Sequence, residues 1–195
     1  MMFFRTGKKL VVPLEDAQPS IESLVQRVDM TRWNALRDHW VGTYVTAVGK
    51  GERPDRLVRH AYNYAKYFEL EQWIRYHLQC TAHLRLASPP KPLRILDIGC
   101  GSAIFPFLCN AMGHAAEGLD IESPMYLAMA EILGVRVEPY TVRPLEPLPA
   151  TVQGYDLFTA ISIKFDREDF GTNRVVPWAL EEWQFFLKDL ASRLN

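Results

Sequence analysis

The sequence predicts an α/β fold with a doubly wound parallel sheet, preceded by an N-terminal helical extension. Two observations support this. Residues 88–92, Ser88-Pro89-Pro90-Lys91-Pro92, form a break that no helix can continue. After the break, short apolar segments alternate with helix-like segments, which is typical of βαβ units and a parallel sheet. We therefore expect an N-terminal arm and helical cap in residues 1–90, and a sheet domain in residues 91–195.

Each element of the second part has its own signal. The run from Leu93 to Ile98 is mostly apolar and bounded by Pro92 and Gly99, as expected for a buried parallel strand. The later boundaries follow from glycine, proline and apolar periodicity. They predict a helix over Ala103 to Met112, a strand over Ala115 to Leu119, a helix opened by Ser123-Pro124, a third strand from Val135, a fourth over Tyr155 to Ile163, and a last helix over Pro177 to Leu194.

The first part has a different pattern. Residues Val11 to Ser20 resemble an extended arm, and apolar residues from Ile21 to Thr46 recur at loosely helical spacing. Pro54 follows a Gly-rich loop and is well placed to begin a helix. That helix is expected to reach Leu86, a length that favours a bend or a break.

Composition excludes several classes of protein. The 195 residues are 48% hydrophobic, too apolar for a mainly disordered chain, and no apolar run reaches the length of about 20 residues that spans a bilayer. Charge interrupts the first nine residues too early for a secretory signal. Three cysteines without paired spacing do not suggest a disulfide framework or a zinc site. These features predict a cytoplasmic protein without a membrane span or a metal.

Charge is distributed unevenly along the chain. Residues 1–92 contain 14 Lys and Arg against 9 Asp and Glu, whereas residues 93–195 contain 8 against 14. Opposite charge could let the two parts dock on each other, or let the basic part face an anionic substrate, and docking is the simpler interpretation. Nothing approaches the basicity of a dedicated nucleic-acid domain, so we expect no nucleic-acid partner.

The most informative stretch is Leu96-Asp97-Ile98-Gly99-Cys100-Gly101-Ser102-Ala103, where the first strand turns into the first helix. Glycines there allow a ligand to approach the backbone closely, and the helix offers free N–H groups. Asp120 ends the second strand, where a carboxylate can accept both hydroxyl groups of a ribose. A dinucleotide turn would have Gly or Ala three residues after Gly101, where this chain has Ile104.

These residues resemble the class I S-adenosylmethionine-dependent methyltransferase family. The resemblance rests on Leu96-Asp97-Ile98-Gly99-Cys100-Gly101 together with Gly118-Leu119-Asp120-Ile121-Glu122, and it covers roughly residues 93–194. It implies a Rossmann-like, three-layer αβα fold, S-adenosylmethionine as cofactor, and methyl transfer to a small-molecule, sugar or lipid-linked acceptor.

The resemblance also implies roles for single residues. Asp97, Gly99, Cys100 and Gly101 match the turn that wraps the methionine end of the cofactor. Asp120 matches the acid that holds the ribose hydroxyl groups, and Ile121 matches the residue that packs against adenine. Thr141 and Val142 fall where the family often contacts the adenine edge, although the acid common there is absent. Ile161 lies at the end of the fourth strand, which faces the transferred methyl group in the family.

The family's sheet normally has seven strands, and the last three would lie beyond Asn195. The resemblance therefore suggests a fragment of a longer protein, with an open sheet edge that favours association into a homo-oligomer. Many members also have a third glycine where this chain has Ala103.

The catalytic group is less evident. Asp166, in the charged run Lys164 to Asp169 after strand four, is a candidate base, although such a run is more typical of a solvated loop. His60 and His77 are further candidates. The aromatic residues of the N-terminal helix are expected to serve partly in packing and partly as a lid; they are Tyr62, Tyr64, Tyr67, Trp73 and Tyr76.

Two alternatives stay open at this point. One is a catalytically silent domain that binds the cofactor or uses the fold only for interaction. The other is a nucleotide-sugar or NAD enzyme, which the glycine spacing disfavours. No Asn/Asp-Pro-Pro-aromatic motif follows the fourth strand, which argues against methylation of DNA bases or glutamine.

Overall fold

The computed structural model describes residues 18–48, 65–169 and 174–195. The arm before residue 18, the start of the helix expected at Pro54, and the residues His60, Tyr62 and Tyr64 lie outside the described residues. No helix of the described part is both long and apolar enough to cross a membrane.

The described residues of the N-terminal part form three helices, α1 (Ile21–Val25), α2 (Met30–Val48) and α3 (Leu70–His83), with a short 3-10 turn at Lys66–Phe68. The single helix expected from Ile21 is divided, because the Asp29 carboxylate accepts the backbone N–H groups of Thr31 and Arg32 and starts α2 afresh. The helix predicted from Pro54 to Leu86 is interrupted at Glu69, whose ψ of 68° is not helical, and α3 begins after it.

Among the described residues, the sheet domain has a sheet of four parallel strands and three helices. The strands are β1 (Arg94–Ile98), β2 (Ala115–Asp120), β3 (Val137–Pro139) and β4 (Leu157–Thr159), in the order β3-β2-β1-β4. The helices are α4 (Ile104–Ala111), α5 (Pro124–Ile132) and α6 (Leu180–Ala191). Strand β1 pairs with both β2 and β4, which makes it central and explains why four of its five residues are buried.

Apolar side chains cover both faces of this sheet. On one face Ile95 and Ala116 pack with Phe105 of α4 and with Leu86. On the other, Leu96 and Leu119 pack with Phe186 of α6 and with Trp178. Helices on both faces of a parallel sheet make the three-layer αβα arrangement, so the predicted fold class is confirmed.

One core joins the helices α1 to α3 to the sheet domain. It contains Leu24, Trp33 and Ile74 together with Leu108 of α4 and Met129 of α5, all essentially inaccessible to solvent. The division between residues 1–90 and 91–195 stays a prediction, and the described residues on its two sides share a core.

The segment after β4 differs from the expected solvated loop, and that expectation was wrong. Strand β4 ends at Thr159, earlier than expected. Residues Asp166–Asp169 form a strand, β5, paired antiparallel with β6 (Arg174–Pro177). The charges do not prevent the strand because Arg167 Nε lies 2.7 Å from the buried Glu182 of α6. Phe165 also packs its ring against Trp178, with centroids 5.0 Å apart.

Candidate functional site

A cavity of about 500 Å³ opens at the carboxyl ends of β1, β2 and β4. In parallel α/β sheets this edge is where ligands bind, and the volume lies within the usual range for small-molecule sites. The residues assigned to the cofactor from the sequence, and the candidate base Asp166, all line this cavity. They are Asp97, Gly99, Cys100, Gly101, Asp120, Ile121, Thr141, Val142, Ile161 and Asp166.

Asp97 is the most deeply buried acid of the site, with 2% of its surface exposed. Its Oδ1 accepts a hydrogen bond of 2.7 Å from the Thr159 hydroxyl on the neighbouring strand β4. Burial raises the pKa of Asp97 to about 7, the Thr159 bond opposes that rise, and Asp120 adds to it. A carboxylate here is costly to the fold unless a positive group meets it.

The turn between β1 and α4 depends on its glycines. Gly99 has a φ of +70°, and a Cβ at this position would lie 2.3 Å from Ile163 Cδ1. Gly101 has a φ of +54° with open space on its side-chain side. Ala103 adopts a φ of +59°, although it has a Cβ. The turn therefore brings bare backbone to the cavity at the two glycine positions.

Asp120 lies at the end of β2, and its side chain contacts this turn. Its carboxylate accepts hydrogen bonds from the backbone N–H of Gly101 and, at 2.7 Å, from that of Ile121. Burial raises the pKa of Asp120, whereas these two bonds lower it. The side chain of Ile121 is 51% exposed at the cavity wall, so it offers an apolar surface beside the acid.

Cys100 packs inside the turn. A Cβ on Gly118 of β2 would lie 2.4 Å from Cys100 Sγ, so the two residues fit closely together. Burial, with the nearby Asp97 and Asp120, raises the pKa of the Cys100 thiol. A thiol that stays protonated is a weak nucleophile, which agrees with a packing role.

The remaining predicted residues lie on the rim. Thr141 and Val142 follow β3, where the Tyr140 N–H donates to the Asp120 carbonyl at 2.6 Å. Ile161 follows β4. Asp166 is exposed and starts β5, and its backbone carbonyl accepts the indole N–H of Trp178 at 3.2 Å.

The sequence analysis missed part of the cavity. Tyr126 of α5, Phe165 and Trp178 also line it, beside the expected lid residues Tyr67 and Trp73. Phe165 and Trp178 lie near the strand ends because β5 pairs with β6. The sequence analysis did not predict this pairing, because the charged run was typical of a loop. Tyr126 lies three residues after Ser123, whose side chain caps α5, and this helix-start signal could have located it.

His77 of α3 also lines the cavity and is buried. Burial lowers the pKa of its imidazole to about 4, so the ring is neutral at neutral pH. Its Nδ1 atom is buried, and none of the residues that the structure describes forms a hydrogen bond with it.

No protein-family model and no curated protein matches the sequence. Among solved structures, the chain is similar to an amino pentose methyltransferase from Micromonospora echinaspora, involved in calicheamicin biosynthesis and solved with S-adenosylmethionine bound. Identity is 22%, the match covers 63% of this chain and 47% of that one, and the TM-score is 0.42. This chain thus spans about half the length of that protein.

Two further solved structures are similar. One is a TehB-like S-adenosylmethionine-dependent methyltransferase from Corynebacterium glutamicum, at 19% identity over 70% of this chain and 67% of that one, with a TM-score of 0.42. The other is the YJHP protein of E. coli, at 23% identity over 58% of this chain and 43% of that one, with a TM-score of 0.35. Of these three structures, the first two are methyltransferases.

Proposed function

We propose that this chain binds S-adenosylmethionine in the cavity at the carboxyl edge of its sheet and transfers the methyl group to a small-molecule acceptor. The observation that carries the proposal is the convergence of the two motifs: Asp97, Gly99 and Gly101 from one, and Asp120 and Ile121 from the other, line a single cavity. The parallel pairing of β1 with β2 brings the two strand ends together, but it does not require two acids and two glycines at those ends.

The chemistry of these residues fits the cofactor. The buried Asp97 carboxylate needs positive charge nearby, which the ammonium group of the cofactor supplies, and the Asp120 carboxylate accepts hydrogen bonds, which ribose hydroxyl groups donate. Gly101 has a positive φ and open space where a side chain would be, which allows a ligand to approach its backbone closely. The half-exposed Ile121 gives an adenine ring an apolar surface on which to pack.

Each residue then has one task. Asp97 faces the ammonium group and Asp120 accepts the ribose hydroxyl groups, exchanging its present backbone bonds for them. Thr141 and Val142 border the adenine edge, and Ile161 borders the methyl group. When bound, the cofactor supplies an activated methyl group. The protein's part is to hold the acceptor in line with that group and to exclude water.

Calorimetric titration tests this proposal. We expect S-adenosylmethionine and its demethylated product to bind in the micromolar range and NAD not to bind. Asp120→Ala should weaken the binding of both by at least tenfold, because the ribose loses its acceptor. Glu122→Ala is the matched control, since it removes an exposed carboxylate two residues away. Tight NAD binding, or equal affinities for the two variants, would contradict the proposal.

A further inference from the structure

We propose that Asp97 holds a proton in the ligand-free protein and releases it to solvent when a cationic group reaches its free carboxyl oxygen, so that cofactor binding depends on pH. This inference rests on the proposed function, which places the ammonium group of the cofactor at Asp97. It adds a regulation of that same site by proton concentration.

The two carboxyl oxygens of Asp97 have different surroundings. Oδ1 accepts the hydrogen bond of 2.7 Å from the Thr159 hydroxyl. Oδ2 accepts no hydrogen bond from the described residues, yet it is not among the side-chain atoms that are both completely buried and without a partner. The small exposed surface of Asp97, 2% of the residue, therefore includes Oδ2. Because Asp97 lines the cavity, this one oxygen is open to a ligand and to a departing proton.

The surroundings of Asp97 favour a neutral carboxyl group. No lysine, arginine or histidine among the described residues forms an ion pair with it. Asp97 pairs with Gly118 of β2, and Asp120 lies two residues further along that strand, on the same face of the sheet. Carboxyl groups at neighbouring strand ends disfavour each other's ionisation, and burial without a cation acts in the same direction. Together they raise the pKa of Asp97 to about 7.

Other titratable groups also surround Asp97. Burial raises the pKa of each nearby thiol, on α3, in the turn and on α4, so these stay protonated; they are Cys80, Cys100 and Cys109. His77 of α3 is neutral, since burial lowers its pKa to about 4. Charged side chains at the exposed rim of the cavity are Lys66, Lys164 and Asp166. Asp120, whose pKa burial also raises, is the group that the experiment must separate from Asp97.

Proton release follows from the two forms of Asp97. In the ligand-free protein its carboxyl group is mostly protonated below pH 7. An ammonium group at Oδ2 stabilises the carboxylate, so the O–H bond breaks, both electrons stay on the oxygen, and the proton passes to solvent. Below pH 7 binding includes the removal of this proton. Affinity should therefore rise with pH and level off above pH 7.

Calorimetric titration with the demethylated cofactor at pH 5.5 and pH 7.5 tests this inference. Each titration is repeated in buffers of different ionisation enthalpy, which gives the number of protons released per ligand bound. We expect close to one proton at pH 5.5 and about a quarter of a proton at pH 7.5. The affinity should be about 20-fold higher at pH 7.5.

A ligand without the ammonium group separates Asp97 from Asp120. Methylthioadenosine keeps the adenine, the ribose hydroxyl groups and the sulfur of the cofactor, but it brings no cation to Asp97. We expect it to release no proton and to bind with affinities within twofold of each other at the two pH values. Proton release on binding of this ligand would assign the titration to Asp120 and contradict the inference.

Three variants add a test that does not depend on the choice of ligand. Asp97→Asn should bind the demethylated cofactor without proton release and with equal affinity at both pH values. Thr159→Val removes the hydroxyl that stabilises the charged form of Asp97, so proton release at pH 7.5 should increase toward one. Thr151→Val is the matched control, because it removes an exposed hydroxyl that donates to Glu138 at 2.8 Å and lies outside the cavity lining. It should leave proton release at the wild-type value.

The outcomes distinguish this inference from the proposed function. If the demethylated cofactor binds the wild type but releases no proton at pH 5.5, the inference is wrong while the proposed function stands. The same holds if Asp97→Asn releases as many protons as the wild type. Absence of binding to the wild type at both pH values would overturn both.

Discussion

At the scale of single residues, the candidate site is marked by an acid in a buried position, where an apolar or neutral side chain would favour folding. Asp97 lies inside the central strand with 2% of its surface exposed, and its side chain accepts a hydrogen bond from Thr159. An asparagine could accept the same bond without a charge. The acid therefore lowers stability, as expected for a residue that binds a positive group under the proposed function.

The Asp97→Asn variant measures this cost. The pKa of Asp97 is about 7 in the folded protein against its ordinary value of 3.8, so between these values the folded state keeps a proton that the unfolded state has lost. Wild-type stability must then fall as pH rises through this range and level off above pH 7. Asparagine has no such dependence. We expect the stability advantage of Asp97→Asn to grow by about 2 kcal/mol between pH 5.5 and pH 8.

Urea denaturation at the two pH values is the measurement, with Glu122→Gln as an exposed control whose effect should be small at both. A stability advantage that does not change with pH would show that folding does not raise the pKa of Asp97. The same variant should bind S-adenosylmethionine more weakly than the wild type.

At the scale of elements, three helices end in the same way. In each, the residue after the helix cap adopts a positive φ, and the next N–H donates to a carbonyl five residues back; these residues are Arg85 after α3, Gly113 after α4 and Gly134 after α5. This Schellman ending favours glycine, because a Cβ is strained at positive φ. Arg85 is exposed and has a φ of 54°, so α3 ends with strain that the other two helices avoid.

Arg85→Gly should therefore stabilise the protein, by about 0.5–1 kcal/mol after the larger unfolded-state entropy of glycine is subtracted. Arg85→Ala, which keeps the Cβ, should give less than half of that gain. Thermal and urea unfolding of the two variants decide the point, and a glycine variant less stable than the wild type would contradict it.

Elements with strong local signals could be predicted from the sequence. The apolar run before Gly99 indicated β1, and the cap Ser123 with Pro124 indicated the start of α5, where the Ser123 hydroxyl accepts the Tyr126 N–H. The hairpin could not be predicted, because its charged strand is stabilised by the distant residues Glu182 and Trp178. Local pattern does not contain such long-range contacts.

The residues of the candidate site also fall into those that the sequence predicted and those that it did not. The residues of the sheet side were found because their spacing along the chain reflects a strand, a turn and a second strand. The aromatic side depends on how α3 and the hairpin pack over the sheet, so the sequence showed Trp73 and Phe165 without showing that they border one cavity.

At the scale of the whole molecule, the opposite charges of the two chain segments contribute little to their docking. Among the described residues, two ion pairs join residues 1–92 to residues 93–195: Arg32 with Glu131 at 2.7 Å and Lys91 with Asp156 at 3.5 Å. Both have an exposed cation, and such pairs contribute roughly 0–1 kcal/mol. The shared apolar core around Trp33, Ile74 and Leu108 accounts for the docking far better.

This arrangement matters for function because one cavity is lined by both segments. Lys66, Tyr67, Trp73 and His77 come from the N-terminal segment and the motif residues from the other. A ligand that fills the cavity should therefore stabilise the whole chain as one unit.

An amide NMR titration of the intact chain with the demethylated cofactor tests the central claim most directly. The amides of Gly101 and Ile121 now donate to the Asp120 carboxylate, and the ribose hydroxyl groups would compete for that acceptor. We expect the largest shifts at Gly99, Gly101 and Ile121, with smaller ones near Val142. Shifts confined to residues far from the ends of β1 and β2, or no shifts at millimolar ligand, would contradict the assignment of this cavity to S-adenosylmethionine.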